Sequence, residues 1–216
     1  MTLGDGQIER YSRQIIVPRM GGRAQERLLA ARLVLAGTLE TITIPLAYLV
    51  GAGVGTIHLA VAGERPDFAR LIASMRDLNP DAQVNAFSPS ARIESDLLFG
   101  IVSGSCAVET LRSLPDRVLC GPSVTVRLDN PARIAILPSP PPCLRCAAQG
   151  MLGPTAVPVE NPGFFTMAAC VEALKLLAGY EPATPAAIIE FDGYASASRP
   201  PASSSGVRCT FCGEAK

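Results

Sequence analysis

Four cysteines stand in two C-x-x-C pairs, Cys143-Leu-Arg-Cys146 and Cys209-Thr-Phe-Cys212, with residues 147–208 between them. Each pair offers two soft thiolates, and four thiolates suit tetrahedral Zn²⁺ in a closed site with no position left for substrate. The chemistry this implies is structural. The long intervening segment is no objection, because loop-closure entropy grows only logarithmically with length. Two unrelated pairs, one of them redox-active, is the other reading of the same residues. Of the remaining cysteines, Cys106 and Cys120 are expected near strand ends at the carboxyl edge of a sheet. Reactive thiols can sit there, but small buried side chains are the expectation. Cys170, in Ala168-Ala-Cys-Val171, reads as helix packing.

A second candidate is the stretch Arg32–Gly63, RLVLAGTLETITIPLAYLVGAGVGTIHLAVAG. Its strand, tight turn, helix, strand layout is the one that holds phosphates at a helix N-terminus. The turn Gly37-Thr38-Leu39-Glu40-Thr41-Ile42 keeps one glycine and places a glutamate near where a phosphate would lie. The single histidine, His58, falls among apolar strand residues and reads as a satisfied strand side chain rather than a general base. Asp129-Asn130-Pro131 reads as turn chemistry and nothing more. Glu172 and Lys175 form an i,i+3 pair worth about a few tenths of a kcal/mol.

These residues need a scaffold of alternating helices and strands. Helices are predicted over Ile8–Gln14, Gly22–Ala31, Thr43–Val50, Phe68–Leu78, Ala107–Leu114 and Phe164–Ala178, the last closed by Gly179. Pro45 is compatible with the third of these if it occupies the first turn. Strands are predicted at Leu33–Ala36, Val54–Val61, Val84–Phe87, Leu97–Val102, Arg117–Cys120 and Ala187–Phe191. Val124–Leu128 and Ile134–Leu137 form a hairpin. The alternation implies an α/β fold: a Rossmann-like, doubly wound, mostly parallel sheet with a C-terminal four-cysteine zinc site. The expected division of the single domain 1–216 is a helical arm at 1–31 and a core at 32–192. A Ser/Ala/Pro-rich flexible tether at 193–208 follows, and a knuckle at 209–212 pairs with 143–146.

Composition narrows the function. The chain has 216 residues, 48% of them apolar, with Lys+Arg and Asp+Glu both at 19 and no tryptophan. Charge balance gives no footprint for nucleic acid or an anionic membrane, and the scarcity of aromatics removes stacking platforms for bases. Met1–Arg13 carries no signal-peptide apolar run, and Ile42–Gly53 is too short to span a bilayer. A cytoplasmic protein is expected, and there cysteines favour metal or catalytic roles over disulfides.

Several motifs occur in a telling order: Arg10-Tyr-Ser-Arg-Gln14, Leu46-Ala-Tyr-Leu-Val-Gly-Ala-Gly-Val-Gly-Thr56, Leu78-Asn-Pro80, Pro142-Cys-Leu-Arg-Cys146, Val171-Glu-Ala-Leu-Lys-Leu-Leu-Ala-Gly179 and the closing Cys-x-x-Cys. Together they resemble the ThiF/MoeB/HesA adenylyltransferases, bacterial relatives of ubiquitin-activating enzymes, over nearly the whole chain. The resemblance implies a doubly wound fold, a structural zinc and a dimer. It also implies ATP-dependent adenylation of the C-terminal glycine of a ubiquitin-like sulfur carrier. In several members a crossover-loop cysteine then accepts the activated carrier or its sulfur. The arginine corresponding to Arg13 is implied to reach ATP bound in the other subunit.

Against that pattern the sequence departs wherever ATP would be touched. The family loop G-x-G-G-x-G becomes GTLETI, so Leu39 and Ile42 are expected to block phosphate approach by bulk and Glu40 by charge. Asp67 replaces a phosphate-binding lysine. Ser103 falls where the family carries an aspartate for Mg²⁺, and the segment with the S-N-x-x-R-Q motif is missing. Losing the cationic clamps and the metal ligand removes the charge stabilisation that phosphoryl chemistry requires. No carrier-accepting cysteine follows Cys146 in AAQGMLGPTAVPVENPGFF.

The expectation is therefore a catalytically inactive subunit of, or scaffold for, an active adenylyltransferase, lending Arg13 in trans and binding Zn²⁺ but not ATP/Mg²⁺. A homodimer is the other dimeric form. Bracing of the N-terminal helix by Arg10 and Arg13 is the alternative for those arginines. A binding module for a ubiquitin-like carrier, and an active enzyme with a divergent loop, are the alternatives for the whole chain.

Overall fold

A computed structural model describes residues 2–63, 68–89, 93–139, 142–147, 151–153, 156–180, 185–192 and 195–201, with the side chains of 146 and 147 left out. Helices α1 (Asp5–Ile15) and α2 (Gly21–Ala30) lead into β1 (Arg32–Thr38), α3 (Leu39–Gly51), β2 (Thr56–Ala62), α4 (Phe68–Leu78) and β3 (Gln83–Ala86). Then come β4 (Leu97–Val102), α5 (Ser105–Arg112), α6 (Asp116–Leu119), β5 (Ser123–Arg127) and β6 (Ala132–Leu137). The chain continues through α7 (Leu144–Ala147), α8 (Pro162–Ala178), β7 (Ala187–Asp192) and β8 (Ala195–Arg199).

One sheet of order β3-β2-β1-β4-β5-β6-β7-β8 joins these strands. β3 to β5 are mutually parallel, and β5 to β8 are antiparallel. The fully buried run Leu97–Val102 at the centre is the pattern of a strand covered on both faces. On one face Leu33, Leu35, Ile57, Leu59, Val124 and Ile134 pack with Leu28 of α2, Ile42, Leu46 and Leu49 of α3, and Cys170 and Ala173 of α8. On the other, Val34, Ala36, Leu98 and Val102 pack with Val108 and Leu111 of α5, Val118 of α6, Leu144 and Met151. The doubly wound architecture is thus as expected. Strand order reverses between β1 and β4, which opens a crevice at their carboxyl ends.

Several elements differ from expectation. Helix α3 starts at Leu39 because the Thr38 side chain accepts the Thr41 N–H at 3.4 Å as an N-cap. Pro45 therefore lies inside the helix rather than in its first turn. Arg117–Cys120 is not a strand: after Pro115 it closes a helical turn, with the Cys120 N–H donating to Asp116 O at 2.7 Å. A short apolar run does not distinguish strand from buried helix by itself. β3 is an edge strand in which only Val84 is buried. Part of the expected tether, Ala195–Arg199, is strand β8, held by backbone pairing to β7 although all five residues are exposed. Its Ser/Ala composition reflects that exposure. Residues 193, 194 and 202–208 of the expected tether lie outside the described residues.

Candidate functional site

The crevice at the strand-order reversal is walled by Thr38 at the end of β1 and by Val102-Ser103-Gly104 after β4. Gly100 pairs with Ala36, so Ser103 emerges beside the first turn of α3. That turn is closed by its own residues. Thr38 Oγ1 lies 3.0 Å from Thr41 Oγ1, and Thr41 Oγ1 donates to Thr38 O at 3.1 Å. Glu40 stands exposed in the first turn, where a carboxylate complements the positive end of the helix dipole. In that turn the Thr41 N–H is met by the Thr38 hydroxyl, and the helix N-terminus carries a carboxylate.

Leu39 and Ile42 do not stand where their bulk was expected. Ile42 is fully buried in the core, and Leu39 packs against the same cluster, so neither side chain provides the steric block expected of it. Ile42 instead explains why position 37 holds glycine: a Cβ at Gly37 would lie 2.9 Å from Ile42 Cγ2 and 3.2 Å from Ile101 Cβ. Ser103 offers a neutral hydroxyl where a hard cation favours carboxylate oxygen. Asp67 lies outside the described residues.

Two cations stand at the carboxyl end of β5 and the start of β6, and each is held by a carboxylate. Arg133 Nε donates to Glu190 Oε2 at 2.7 Å. Arg127 and Asp129 form a buried pair, with side chains 4% and 7% exposed, in which Arg127 Nε lies 2.7 Å from both carboxylate oxygens and Nη2 2.5 Å from Oδ2. The pair also fastens the segment that crosses this edge. Arg127 Nη1 donates to Gly153 O at 3.1 Å, the Ala156 N–H donates to Asp129 Oδ2 at 3.0 Å, and the Asn130 N–H donates to Val157 O at 2.8 Å. Burial pushes the Asp129 carboxyl upward, but the Arg127 and Ala156 hydrogen bonds and the nearby guanidinium charges overcome it and hold the group below its ordinary range. Reading Asp129-Asn130-Pro131 as turn chemistry alone missed this clamp. An arginine two residues before the aspartate, on the same strand face, was the available signal.

At the opposite, amino edge the motif residues converge. Tyr11, fully buried, donates to Asp81 Oδ2 at 3.0 Å and accepts from Asn79 Nδ2 at 2.9 Å. Asn79 Nδ2 also donates to Val50 O at 2.7 Å, and Arg10 Nε lies 3.4 Å from Asp81 Oδ2. Gly53, at φ +85°, leaves room for the ring: a Cβ there would lie 2.8 Å from Tyr11 Cζ. The R-Y-x-R-Q, G-x-G and L-N-P motifs thus form one structural joint. Arg10 braces the α4–β3 turn. Arg13 is exposed in the last turn of α1 and makes no ion pair or hydrogen bond among the described residues. Gln14 Nε2 reaches Gly51 O, at the C-terminal end of α3, at 3.4 Å. Arg13 is therefore separated from the Thr38–Ile42 turn by about 18 Å of helix.

The remaining candidates fall apart from this crevice. His58 faces the α5 side of β2, where burial lowers its pKa, and Nδ1 finds no hydrogen-bond partner among the described residues. That nitrogen is thus not satisfied among the described residues, contrary to expectation. Cys106, expected buried, is exposed at the start of α5, whereas Cys120 precedes β5 at the amino edge rather than the carboxyl edge. Cys170 is packed in α8 as expected, and burial pushes its thiol up to about 12.

Of the four knuckle cysteines, Cys143 is buried at the head of α7, which an Arg145–Asp116 pair at 2.7 Å ties to α6. The Cys146 side chain, Cys209 and Cys212 lie outside the described residues. Among the described residues no group of three or more His, Cys, Asp and Glu could hold a metal. The topology is compatible with a shared site. Arg199 of β8 is level with Ala135 of β6 through Ile188, so both strands run out at the amino edge about 10 Å apart. From Arg199, extended chain reaches Cys209 over about 33 Å.

Taken together, this is an α/β protein with a crevice at the strand-order reversal, beside which the helix N-terminus is capped by Thr38 and carries Glu40. The chain belongs to the ThiF/MoeB/HesA family of ubiquitin-activating-enzyme-like adenylyltransferases. It is 27% identical over 218 residues to the vegetative HesA protein of Trichormus variabilis, covering 83% of this chain and 80% of the relative. It is 26% identical over 252 residues to the sulfur carrier protein adenylyltransferase of Thermus thermophilus, covering 96% and 92%. Mouse adenylyltransferase and sulfurtransferase MOCS3 is 30% identical over 235 residues, and the match covers 89% of this chain but only 49% of that protein. Among solved structures, E. coli MccB with succinimide aligns at a TM-score of 0.68 and 14% identity, covering 94% of this chain and 74% of MccB. No protein-family model matches the sequence.

Proposed function

We propose that this chain is a catalytically lapsed member of its family that acts as a dimer subunit of, or scaffold for, an active adenylyltransferase in a ubiquitin-like or sulfur-carrier pathway, lending Arg13 in trans. The observation that carries the reading is the self-closed N-terminus of α3, with Thr38 on the Thr41 amide and Glu40 in the first turn. A polyphosphate arriving there meets a carboxylate and a capped amide. Arg13 supports the second half: on its own chain it lies at the wrong end of α3, so the free guanidinium suits a site on another molecule. Ile44 and Tyr48 on α3 and Phe164 and Val171 on the neighbouring α8 are all exposed, an apolar face suited to a second subunit. In the same reading Cys143, Cys146, Cys209 and Cys212 hold a structural zinc that ties the C-terminus to α7.

The test has three parts. Mg·ATP at a hundredfold over a typical family affinity would stabilise a binder by about 2.7 kcal/mol, so an unchanged melting temperature is expected, and a clear rise sinks the reading. ATP–pyrophosphate exchange should be absent from the chain alone. Mixed with an active family member, the chain should raise that member's adenylation rate, and Arg13→Ala should remove the increase. Metal analysis should find one zinc per chain, lost in Cys143→Ser.

A second reading, a binding module for a carrier without activation, is favoured by β8, whose Ala195–Arg199 are exposed on both faces of the sheet. The relatives include a SAMP-activating enzyme E1 and a sulfur carrier protein adenylyltransferase. Titration with a ubiquitin-like carrier separates the two readings, because only the module binds carrier without the active relative.

A further inference from the structure

We propose that the free edge of β3 is a docking groove for the C-terminal tail of a partner protein, which adds to the sheet as an antiparallel strand and places its terminal carboxylate on Arg76. Gln83 N–H donates to Gly55 O at 2.8 Å and Phe87 N–H to Leu59 O at 2.9 Å, so alternate residues of β3 turn toward β2. Val84 and Ala86 therefore direct their N–H and C=O groups outward. No strand pairs with that side among the described residues. An edge so exposed is a ready template for an added strand.

A groove of 380 Å³ runs between α4 and this edge, lined by Ile72, Arg76, Pro80, Gln83, Val84 and Asn85. Ile72 and Val84 offer apolar contact to one side chain of an added strand. Arg76, the only charged residue of the lining, makes no ion pair or hydrogen bond among the described residues. Chemical complementarity selects a carboxylate, and a guanidinium binds one in a fixed fork.

Direction follows from the fold. Helix α4 returns to β3 through the turn around Pro80, so Arg76 sits at the beginning of β3, where that turn closes the groove. A strand antiparallel to β3 ends there, and a chain terminus fits a closed end where a continuing chain would have to turn away. The groove lies at the sheet edge farthest from β8 and owes nothing to the crevice at β1 and β4, so this proposal and the lapsed-subunit reading stand or fall separately.

Matched arrays of random heptapeptides, synthesised with free C-termini and as C-terminal amides, test it against the full chain. A set of free-acid peptides should bind saturably and lose at least about tenfold in affinity on amidation and with Arg76→Ala. Ala86→Pro, which removes an outward N–H at a position where an edge strand accommodates proline, should abolish binding without lowering the melting temperature. Should that variant fold poorly, Arg76→Gln replaces it, leaving the backbone intact and still expected to lose the carboxylate. Absence of any free-acid binder overturns the proposal. So do equal binding of acids and amides, and binding that survives loss of Arg76.

Discussion

Replacing Asp129 by asparagine keeps the shape of the side chain and removes its charge, so the Arg127 guanidinium, 4% exposed, loses the carboxylate that faces it. Breaking a buried pair from one side costs about 3–5 kcal/mol, because the remaining charge stays desolvated. For a chain of this size each kcal/mol moves the melting temperature by about 2–4 °C, so Asp129→Asn should lower it by about 10 °C. Differential scanning fluorimetry reads this directly. Hydrogen exchange should show the Ala156 amide, which donates to Asp129, losing protection before the sheet does. The double variant Arg127→Met/Asp129→Leu should recover most of the loss, since apolar replacement of a buried pair is close to neutral. The sign with pH follows from the depressed carboxyl. Its stabilisation is present above the unfolded value, ordinarily 3.8, and is lost as pH falls through the lower folded value. The gap between wild type and Asp129→Asn should thus be constant from neutrality to about pH 5 and shrink only below the unfolded value. A single-variant cost under about 1 kcal/mol, or a double variant no better than the single, would refute the clamp.

Other expected outcomes come from separate parts of the molecule. Gly37→Ala should destabilise by about 1–3 kcal/mol in chemical denaturation, because the new methyl meets Ile42 and Ile101. Tyr11→Phe should cost about 1–3 kcal/mol by leaving Asn79 and Asp81 short of a partner. Burial, with Asp81 nearby, raises the Tyr11 phenol from 10.0 to about 12. A raised folded value keeps its stabilisation below pH 10 and loses it as pH climbs toward 12, so wild type and Tyr11→Phe should converge only in strong alkali. Iodoacetamide should label the exposed Cys106 in the folded protein and spare Cys170 until it unfolds, which peptide mass spectrometry checks.

The sequence by itself determined the class of fold and the family. The buried run Leu97–Val102, the helix Phe164–Ala178 with its closing Gly179 and the ordered motifs carry that information locally, through side-chain period and turn chemistry. It also raised the expectation of an altered crevice, because the single glycine and the Glu40 of the turn are visible in the residues alone. Only the tertiary structure decided where the residues of that turn lie. Whether Ile42 enters the cleft or the core depends on where α3 begins, and Thr38 sets that by capping a helix whose proline suggested a later start. Arg127 and Asp129 became a clamp only when the sheet buried them together beneath Gly153 and Ala156, and a charge pair gains its weight from burial that no sequence spacing states. Tyr11, Gly53 and Asn79 lie far apart in the chain and meet only at the amino edge, so their common role as a joint belongs to the fold. Ala195–Arg199 has the composition of a tether and the structure of a strand because its hydrogen bonds come from β7 rather than from its own side chains.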